Sequence, residues 1–360
     1  MRAEIRKIDP RHPDPESIEE AGRILRGGGL VAFPTETVYG LGGDGLNPKS
    51  SGKIYRAKGR PSDNPLIIHI AQIQDLSKVA AQIPEAALRL AEKFWPGPLT
   101  MIFPKTSVVP YETTGGLDSV AVRMPDHPVA LALIRAAGGF VAAPSANRSG
   151  RPSPTLASHV AEDLGEEIDL ILDGGMVGIG LESTIVDFTE SPPVILRPGF
   201  ISREMLAQDL ENIRIDPGLD QKKEQKTPPK APGMRYRHYA PKAPLTIVEG
   251  EADQVAKYVN TLARQEQQAG GMAGILACDE TAGLYQSGLV KSIGSRSSDQ
   301  TIARHLYQAL REFDQERVTC IYSEAFDTPQ MGQAIMNRLR KAAGHHVIQA
   351  PGKQRGEENG

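Results

Sequence analysis

The sequence predicts an α/β protein of two domains, in which a large twisted mixed sheet with helices is followed by a smaller three-layer α/β domain. Three observations carry that prediction. The chain has 360 residues, more than one hydrophobic core usually organises, and about 150 residues per domain gives two. Short apolar runs alternate with amphipathic stretches over most of its length, as strands alternate with helices. Between Asp216 and Pro244 this pattern stops at Pro217, Pro228, Pro229, Pro232, Pro241 and Pro244, residues that cannot continue helices or central strands. The expected organisation is a first domain over 1–212, a Pro-rich linker over 213–244, a second domain over 245–350 and a disordered tail over 351–360.

Taken in order, Ser17-Ile18-Glu19-Glu20 reads as a capping box that opens a helix. Ile18, Ala21 and Leu25 share one face of it, and Gly27-Gly28-Gly29 is its stop. Apolar runs at 30–33, 66–71, 99–103, 120–124, 140–143, 168–172 and 184–188 read as buried strands. Helices are expected between them at 84–94, 128–137 and 156–164, and the Pro- and Gly-rich joins favour a mixed sheet. Beyond the linker, strands at 245–248, 274–277 and 318–322 intersperse with helices at 253–268, 301–316 and 330–343, a Rossmann-like arrangement. It has no glycine-rich dinucleotide turn, so no cofactor is assigned to it.

Composition narrows the possible functions. Hydrophobic residues are 39% and charged residues 24%, which suits a folded soluble chain rather than a disordered one. With 41 Lys+Arg against 44 Asp+Glu the net charge is −3, which argues against a protein whose task is to coat nucleic acid. Two cysteines, Cys278 and Cys320, exclude a disulfide framework and a four-thiolate zinc site. The opening residues MRAEIRKIDPRHPDP lack the apolar segment of a secretory signal. The most apolar stretch, 128–144, is interrupted by Arg135 and a glycine pair. The expectation is a cytoplasmic protein without a membrane partner.

Two glycine motifs fail their context. The run from Gly174 to Gly180 is not followed by a helical pattern, and Gly52-Lys53 lacks both the earlier glycine and the following Ser/Thr of a P-loop. Four other places set polar groups beside a strand. PTETVYGLG puts Thr35 and Thr37 at what reads as a strand-to-helix turn. AKGRPSDNPLIIH places Lys58, Arg60, Ser62 and Asn64 on a Gly/Pro-rigid loop before a strand carrying His69; Lys and Arg so spaced suit a phosphate. APSANRSGRPSPT supplies Ser145, Asn147, Ser149 and Ser153 after a strand. LESTIVDF and VILRPG bring Ser183, Thr184 and Arg197 to strand ends, and VAVRMP does the same for Arg123. In the linker, PGMRYRHYAP gathers Arg235, Tyr236, Arg237, His238 and Tyr239, and 222–242 holds seven Lys/Arg against one Glu. That stretch is either a semi-rigid spacer or a surface for a phosphate and a flat ring. Cations and hydroxyls at several strand ends point to one polar pocket for phosphates and a small carboxylic substrate.

In this order, PTETVYGLG, KGRPSDNPL, the SAN of APSANRSG, STIVD and RPG closely resemble the YrdC-type threonylcarbamoyl-AMP synthase family. PGMRYRHYAP and the small α/β domain resemble that family's long two-domain form, so the likeness runs from about Ile8 to Gln349. The Lys-x-Arg and Ser-x-Asn signature falls on Lys58, Arg60, Ser145 and Asn147.

The resemblance implies a nucleotidyltransferase that joins L-threonine, bicarbonate and ATP into threonylcarbamoyl-AMP and releases pyrophosphate. The product would feed threonylcarbamoyladenosine formation in tRNA, through downstream threonylcarbamoyl-transfer proteins. It implies catalytic roles for Lys58, Arg60, Ser145 and Asn147. ATP would be bound by Lys58, Ser62, Asn64, Ser119, Ser145, Ser153, Arg197, Arg235 and Tyr236. Threonine would be bound by Thr35, His69, Arg123, Ala143 and Ser183. Mg²⁺ would arrive with the triphosphate, with no site built from protein side chains, and the linker would act as a lid. Two other readings stand beside this one. A tRNA- or double-stranded-RNA-binding module would use the basic linker, against the acidic balance of the whole. Carbamoyl transfer in hydrogenase maturation would need zinc-finger cysteines that this chain lacks.

Overall fold

A computed structural model describes residues 2–219, 229–232, 238–326, 328 and 331–352. The chain divides into two compact units, one ending at His238 and the other beginning at Tyr239. Among the described residues no helix is long and apolar enough to cross a membrane.

The first unit is built on eleven strands, β1 (Glu4–Lys7), β2 (Val31–Phe33), β3 (Gly40–Asp44), β4 (Ile67–His69), β5 (Leu99–Pro104), β6 (Ser119–Arg123), β7 (Val141–Ala142), β8 (Leu170–Asp173), β9 (Thr184–Asp187), β10 (Val194–Arg197) and β11 (Arg214–Ile215). They form one sheet in the order β1-β8-β2-β3-β7-β4-β6-β5-β9-β10-β11. The sheet is mixed, as expected: β4 and β6 run parallel, while β5–β6 and β2–β3 are antiparallel. Both faces are buried. Leu30, Ala32 and Ile171 enter one core cluster and Val31, Phe33, Leu170 and Leu172 another. Burial on two sides is why these strands read as unbroken apolar runs rather than as alternating ones.

Helix α1 (Pro15–Arg26) begins earlier than the capping box suggested. Asp14 is the N-cap and its carboxylate accepts from Ser17 N at 2.9 Å, with a proline in the first turn. Ser17 therefore lies inside the helix, and Glu20 pairs with Arg6 instead of with a cap. Helix α2 (Pro48–Lys58) was not anticipated. Its apolar pattern is thin, but its ends are well marked. Asn47 caps it by accepting from Lys49 N, and Gly59 closes it at φ 59°, a left-handed position that favours glycine. Lys58 is thus the last residue of a helix rather than part of a loop. The segment after β2 likewise turns back into the antiparallel strand β3, so Thr35 and Thr37 lie in a strand-to-strand connection, not before a helix.

Residues 214–215, within the expected linker, add β11 to the sheet edge, and Ala231 packs into the core with Ile67 and Ile185. Lys230 also pairs with Asp187 and Glu190 there, at 3.1 and 2.7 Å.

The second unit holds β12 (Leu245–Glu249), β13 (Ala273–Ala277), β14 (Leu289–Ser292), β15 (Cys320–Glu324) and β16 (Val347–Gln349). Their order is β14-β13-β15-β12-β16, and every pair is parallel. Helices Ala252–Gln268, Asp299–Gln315 and Gly332–Ala342 accompany them, which is the expected Rossmann-like layering. The half-buried strands β14 and β16 escaped the apolar pattern. The expected disordered tail falls mostly outside the described residues.

Candidate active site

The two signature motifs meet. The Lys58 ammonium, buried at the end of α2, donates to the carbonyls of Ser145 and Asn147, each at 2.5 Å. In return Ser149 N donates to Lys58 O at 2.8 Å. Ser145 Oγ donates to Asn147 Oδ1 at 2.5 Å, and Asn147 Nδ2 donates to the carbonyls of Arg148 and Arg151. A buried cation satisfied by main-chain carbonyls fixes the loop that carries the Ser-x-Asn pair. Arg60 folds back over its own loop: Nη2 donates to Asn64 Oδ1 at 2.6 Å and Pro65 O at 2.9 Å, and Nε to Asn64 O at 3.0 Å. β4 and β6 run parallel with Ile67 opposite Ala121, so Ser119 starts β6 beside the chain leaving Pro65. Ala143 N donates to Ile67 O at 2.9 Å, which sets Ala143 against the same strand.

A second group crosses the sheet further along the strands. Arg123 on β6 lies opposite His69 on β4 and Thr100 on β5, so the three side chains share one face. Thr100 Oγ1 and Ser183 Oγ are 2.7 Å apart. Arg197 Nη2 donates to Ser183 Oγ at 3.1 Å, Nε to Ser183 O at 3.0 Å, and Nη1 to Pro232 O at 3.5 Å. His69 is buried, with Nδ1 3.2 Å from Ile67 O. Burial, helped by the Arg123 charge, pushes its pKa down to about 3, so the ring is neutral at physiological pH. Arg123 Nη2 comes within 2.7 Å of Glu36 Oε1.

The connection containing Thr35, Glu36 and Thr37 is stitched to both groups. Thr35 Oγ1 donates to Val38 O at 2.7 Å and lies 2.9 Å from Thr37 Oγ1. Ala146 N donates to Tyr39 O, Tyr39 N to Pro154 O, Ile179 N to Glu36 O and Gly180 N to Thr37 O. Ser153 Oγ donates to Glu182 Oε1 at 2.5 Å, joining the Ser-x-Asn loop to the residue before Ser183. Thr35, Lys58, Ser145 and Arg197 therefore sit along one connected polar network rather than on separate surfaces. Four cations (Lys58, Arg60, Arg123 and Arg197) and a row of hydroxyls can orient a polyanion and an amino acid together.

Not every expected residue joins by a direct bond. Ser62 is exposed at its turn, and Ser119 is at the far end of β6 from Arg123, about 13 Å along the strand. Arg235 and Tyr236 lie outside the described residues, as do 220–228 and the rest of 233–237 within the lid expected over 213–244. Sequence reasoning also passed over Glu36, Thr100 and Glu182. Glu36 stands between the two threonines of PTETV and Glu182 directly before Ser183, so both were visible but overshadowed by hydroxyl neighbours. Thr100 looked like one more β-branched strand residue.

Among the described residues no group of three His, Cys, Asp or Glu is placed to hold a metal ion. In the second unit a hollow of about 470 Å³ lies beyond the ends of β12 and β15. Its cations are paired within its own lining, Arg296 with Glu324 at 2.6 Å and Arg340 with Glu249 at 3.5 Å.

A mixed sheet carrying these motifs, followed by a parallel-stranded unit, defines a two-domain protein of the Sua5/YrdC type. The Sua5/YciO/YrdC family model, described as telomere recombination, matches residues 23–199. The model for the threonylcarbamoyl-AMP synthase C-terminal domain matches residues 201–344. A Bacillus subtilis threonylcarbamoyl-AMP synthase is 50% identical over 336 residues, 93% of this chain and 95% of that protein. One from Pyrococcus abyssi is 48% identical over 338 residues, 92% and 97% of the two chains. The crystal structure of P. abyssi Sua5 complexed with L-threonine superposes with a TM-score of 0.91 at 46% identity, covering 97% of this chain and all of that one. This chain belongs to the threonylcarbamoyl-AMP synthase family.

Proposed function

We infer that this protein is an L-threonylcarbamoyladenylate synthase, a nucleotidyltransferase that makes threonylcarbamoyl-AMP and pyrophosphate from L-threonine, bicarbonate and ATP. The observation that carries the reading is near-half identity to two threonylcarbamoyl-AMP synthases along almost the whole of both chains. The polar network of the first unit gives it a physical basis.

The chemistry asks mainly for positioning. The amine of threonine, once neutral, combines with bicarbonate to give a carbamate and water. A carbamate oxygen then attacks the α-phosphorus of ATP, and the bond from that phosphorus to the α,β-bridging oxygen breaks to release pyrophosphate. Negative charge grows on phosphate oxygens throughout, so fixed cations and hydroxyl donors lower the barrier. In this reading Lys58, Arg60, Ser145 and Asn147 hold phosphates and the developing charge. Ser62, Asn64, Ser119, Ser153 and Arg197 contribute to the nucleotide side, while Thr35, His69, Arg123, Ala143 and Ser183 surround threonine. The neutral His69 ring suits such a pocket, since it can exchange hydrogen bonds without repelling the Arg123 charge. Magnesium enters as part of the ATP complex, through triphosphate oxygens.

Consumption of the adenylate by a threonylcarbamoyl-transfer protein acting toward tRNA, and residence in the cytoplasm where that work is done, belong to the same reading. Pyrophosphate release measured with each substrate omitted in turn tests it. Dependence on threonine, bicarbonate and ATP together is expected; release that persists without bicarbonate contradicts it.

A further inference from the structure

The contact between Glu36 and Arg123 has the charges of an ion pair without its hydrogen bonds. The nitrogen and oxygen are 2.7 Å apart, yet among the described residues Arg123 Nη2 and both carboxylate oxygens of Glu36 are buried without a hydrogen-bond partner. A buried guanidinium and carboxylate normally saturate one another through aligned donors, and an orphaned buried polar atom is costly. Arg123 and Glu36 are only 6% and 13% exposed at their side chains, so solvent does not supply the missing partners. Nor do the neighbouring groups. His69 is neutral, and its Nδ1 lies against Ile67 O. Burial lowers the His127 pKa, which leaves little charge there to offset Glu36. Asp126 repels Glu36, and its own pKa is raised by burial and by that carboxylate.

The unmet requirements are one donor direction on a cation and two acceptor oxygens on an anion, side by side. A zwitterionic amino acid carries the complement: a carboxylate for the guanidinium and an ammonium, with three donors, for the carboxylate. We propose that Glu36 is the group that binds the α-ammonium of the amino-acid substrate while Arg123 takes its carboxylate, the direct 2.7 Å contact between the two giving way to the zwitterion. This rests on the reading of the site as a threonine site. It adds a specificity element: a hydroxy acid lacking the amine brings only negative charge to a pocket that already holds Glu36, and is rejected.

Glu36→Gln tests this, because it keeps the shape and removes the charge. Binding of L-threonine and of its hydroxy-acid analogue 2,3-dihydroxybutyrate, in which a hydroxyl replaces the α-amine, is measured by calorimetry on the full chain, with binding of an unreactive MgATP analogue as the check that the site is still formed. In the unaltered protein threonine binds better than the analogue. In Glu36→Gln threonine weakens roughly 10- to 100-fold, the value of a lost charge-assisted hydrogen bond, while the analogue holds or gains because Arg123 no longer has a competing carboxylate. Opposite movement of the two ligands supports the proposal. Parallel loss of both, with MgATP binding intact, overturns it and makes Glu36 a support for Arg123. Loss of MgATP binding as well moves the comparison to Glu36→Asp, where the charge is kept: preference for threonine retained supports the proposal, and preference lost overturns it. Failure of the unaltered protein to bind threonine would instead refute the underlying functional reading.

Discussion

Replacing Lys58 with methionine keeps most of the side-chain volume and removes the ammonium that joins the two signature motifs. Two carbonyls, Ser145 O and Asn147 O, each lose a donor at 2.5 Å. Hydrogen bonds to a charged group are worth about 1.5–3 kcal/mol each, and the carbonyls are left without that partner in a buried place. Against this, the variant no longer has to bury a cation, which returns part of the loss. The net expected is about 2–4 kcal/mol of unfolding stability, read as a lower denaturant midpoint at unchanged slope. The effect on catalysis should be larger than the effect on folding. The loop of Ser145 and Asn147 loses its anchor, and a displacement of about 1 Å in a positioned group costs about a hundredfold. Pyrophosphate release under saturating substrates should therefore fall at least about a hundredfold in protein that is still folded at the assay temperature. A folded Lys58→Met protein that turns over within about threefold of the original would refute the claim that this ammonium organises the site.

Other outcomes follow from the same geometry. His69 is held neutral by burial, whereas in the unfolded chain it takes up a proton as pH falls below about 6.5. Its folded pKa lies at about 3, so between these values the unfolded state binds the extra proton and stability declines with falling pH by up to about 1.4 kcal/mol per unit. In His69→Gln this part of the slope should vanish, and urea midpoints of both proteins at pH 7, 6 and 5 check it; a pH-independent difference between them would contradict the neutral ring. A Cβ at Gly199 would fall 2.5 Å from Thr184 N and 2.8 Å from Ser183 C, both main-chain atoms that cannot step aside alone. Gly199→Ala should cost about 1–3 kcal/mol and raise the KM for threonine, and an unchanged melting temperature would contradict so close a main-chain approach. Thr100→Val removes only the hydroxyl opposite Ser183, so about 1 kcal/mol of stability should go; an unchanged melting temperature would show that the hydroxyl pair contributes nothing to the fold.

The parts legible in the sequence were those where a local pattern has one physical solution. Runs such as LIIHIA and LTMIF are apolar on both faces and could only be buried strands, and Pro or Gly at their ends marked where they stop. The candidate site was legible in its motifs because hydroxyls and cations gathered at strand ends have few uses in packing. Strand β3, GLGGD, was not legible, since three glycines in five residues look like a turn until antiparallel neighbours on both sides hold them extended. Helix α2 has ordinary caps but a weak apolar face, because it packs partly through Ser50, Ser51 and Tyr55. The pairing of Glu36 with Arg123 spans 87 positions, so nothing local announces it; only the sheet order brings the two together.

The central claim is that loops of the first unit hold an amino acid and a triphosphate so that bicarbonate carbon ends between them. Incubation with ¹³C-bicarbonate, L-threonine and MgATP, followed by mass spectrometry of the nucleotide products, tests it most directly. The account predicts an adenylate containing threonine and one labelled carbon, formed in step with one pyrophosphate. An unlabelled adenylate, or release of inorganic phosphate and ADP in its place, would contradict it.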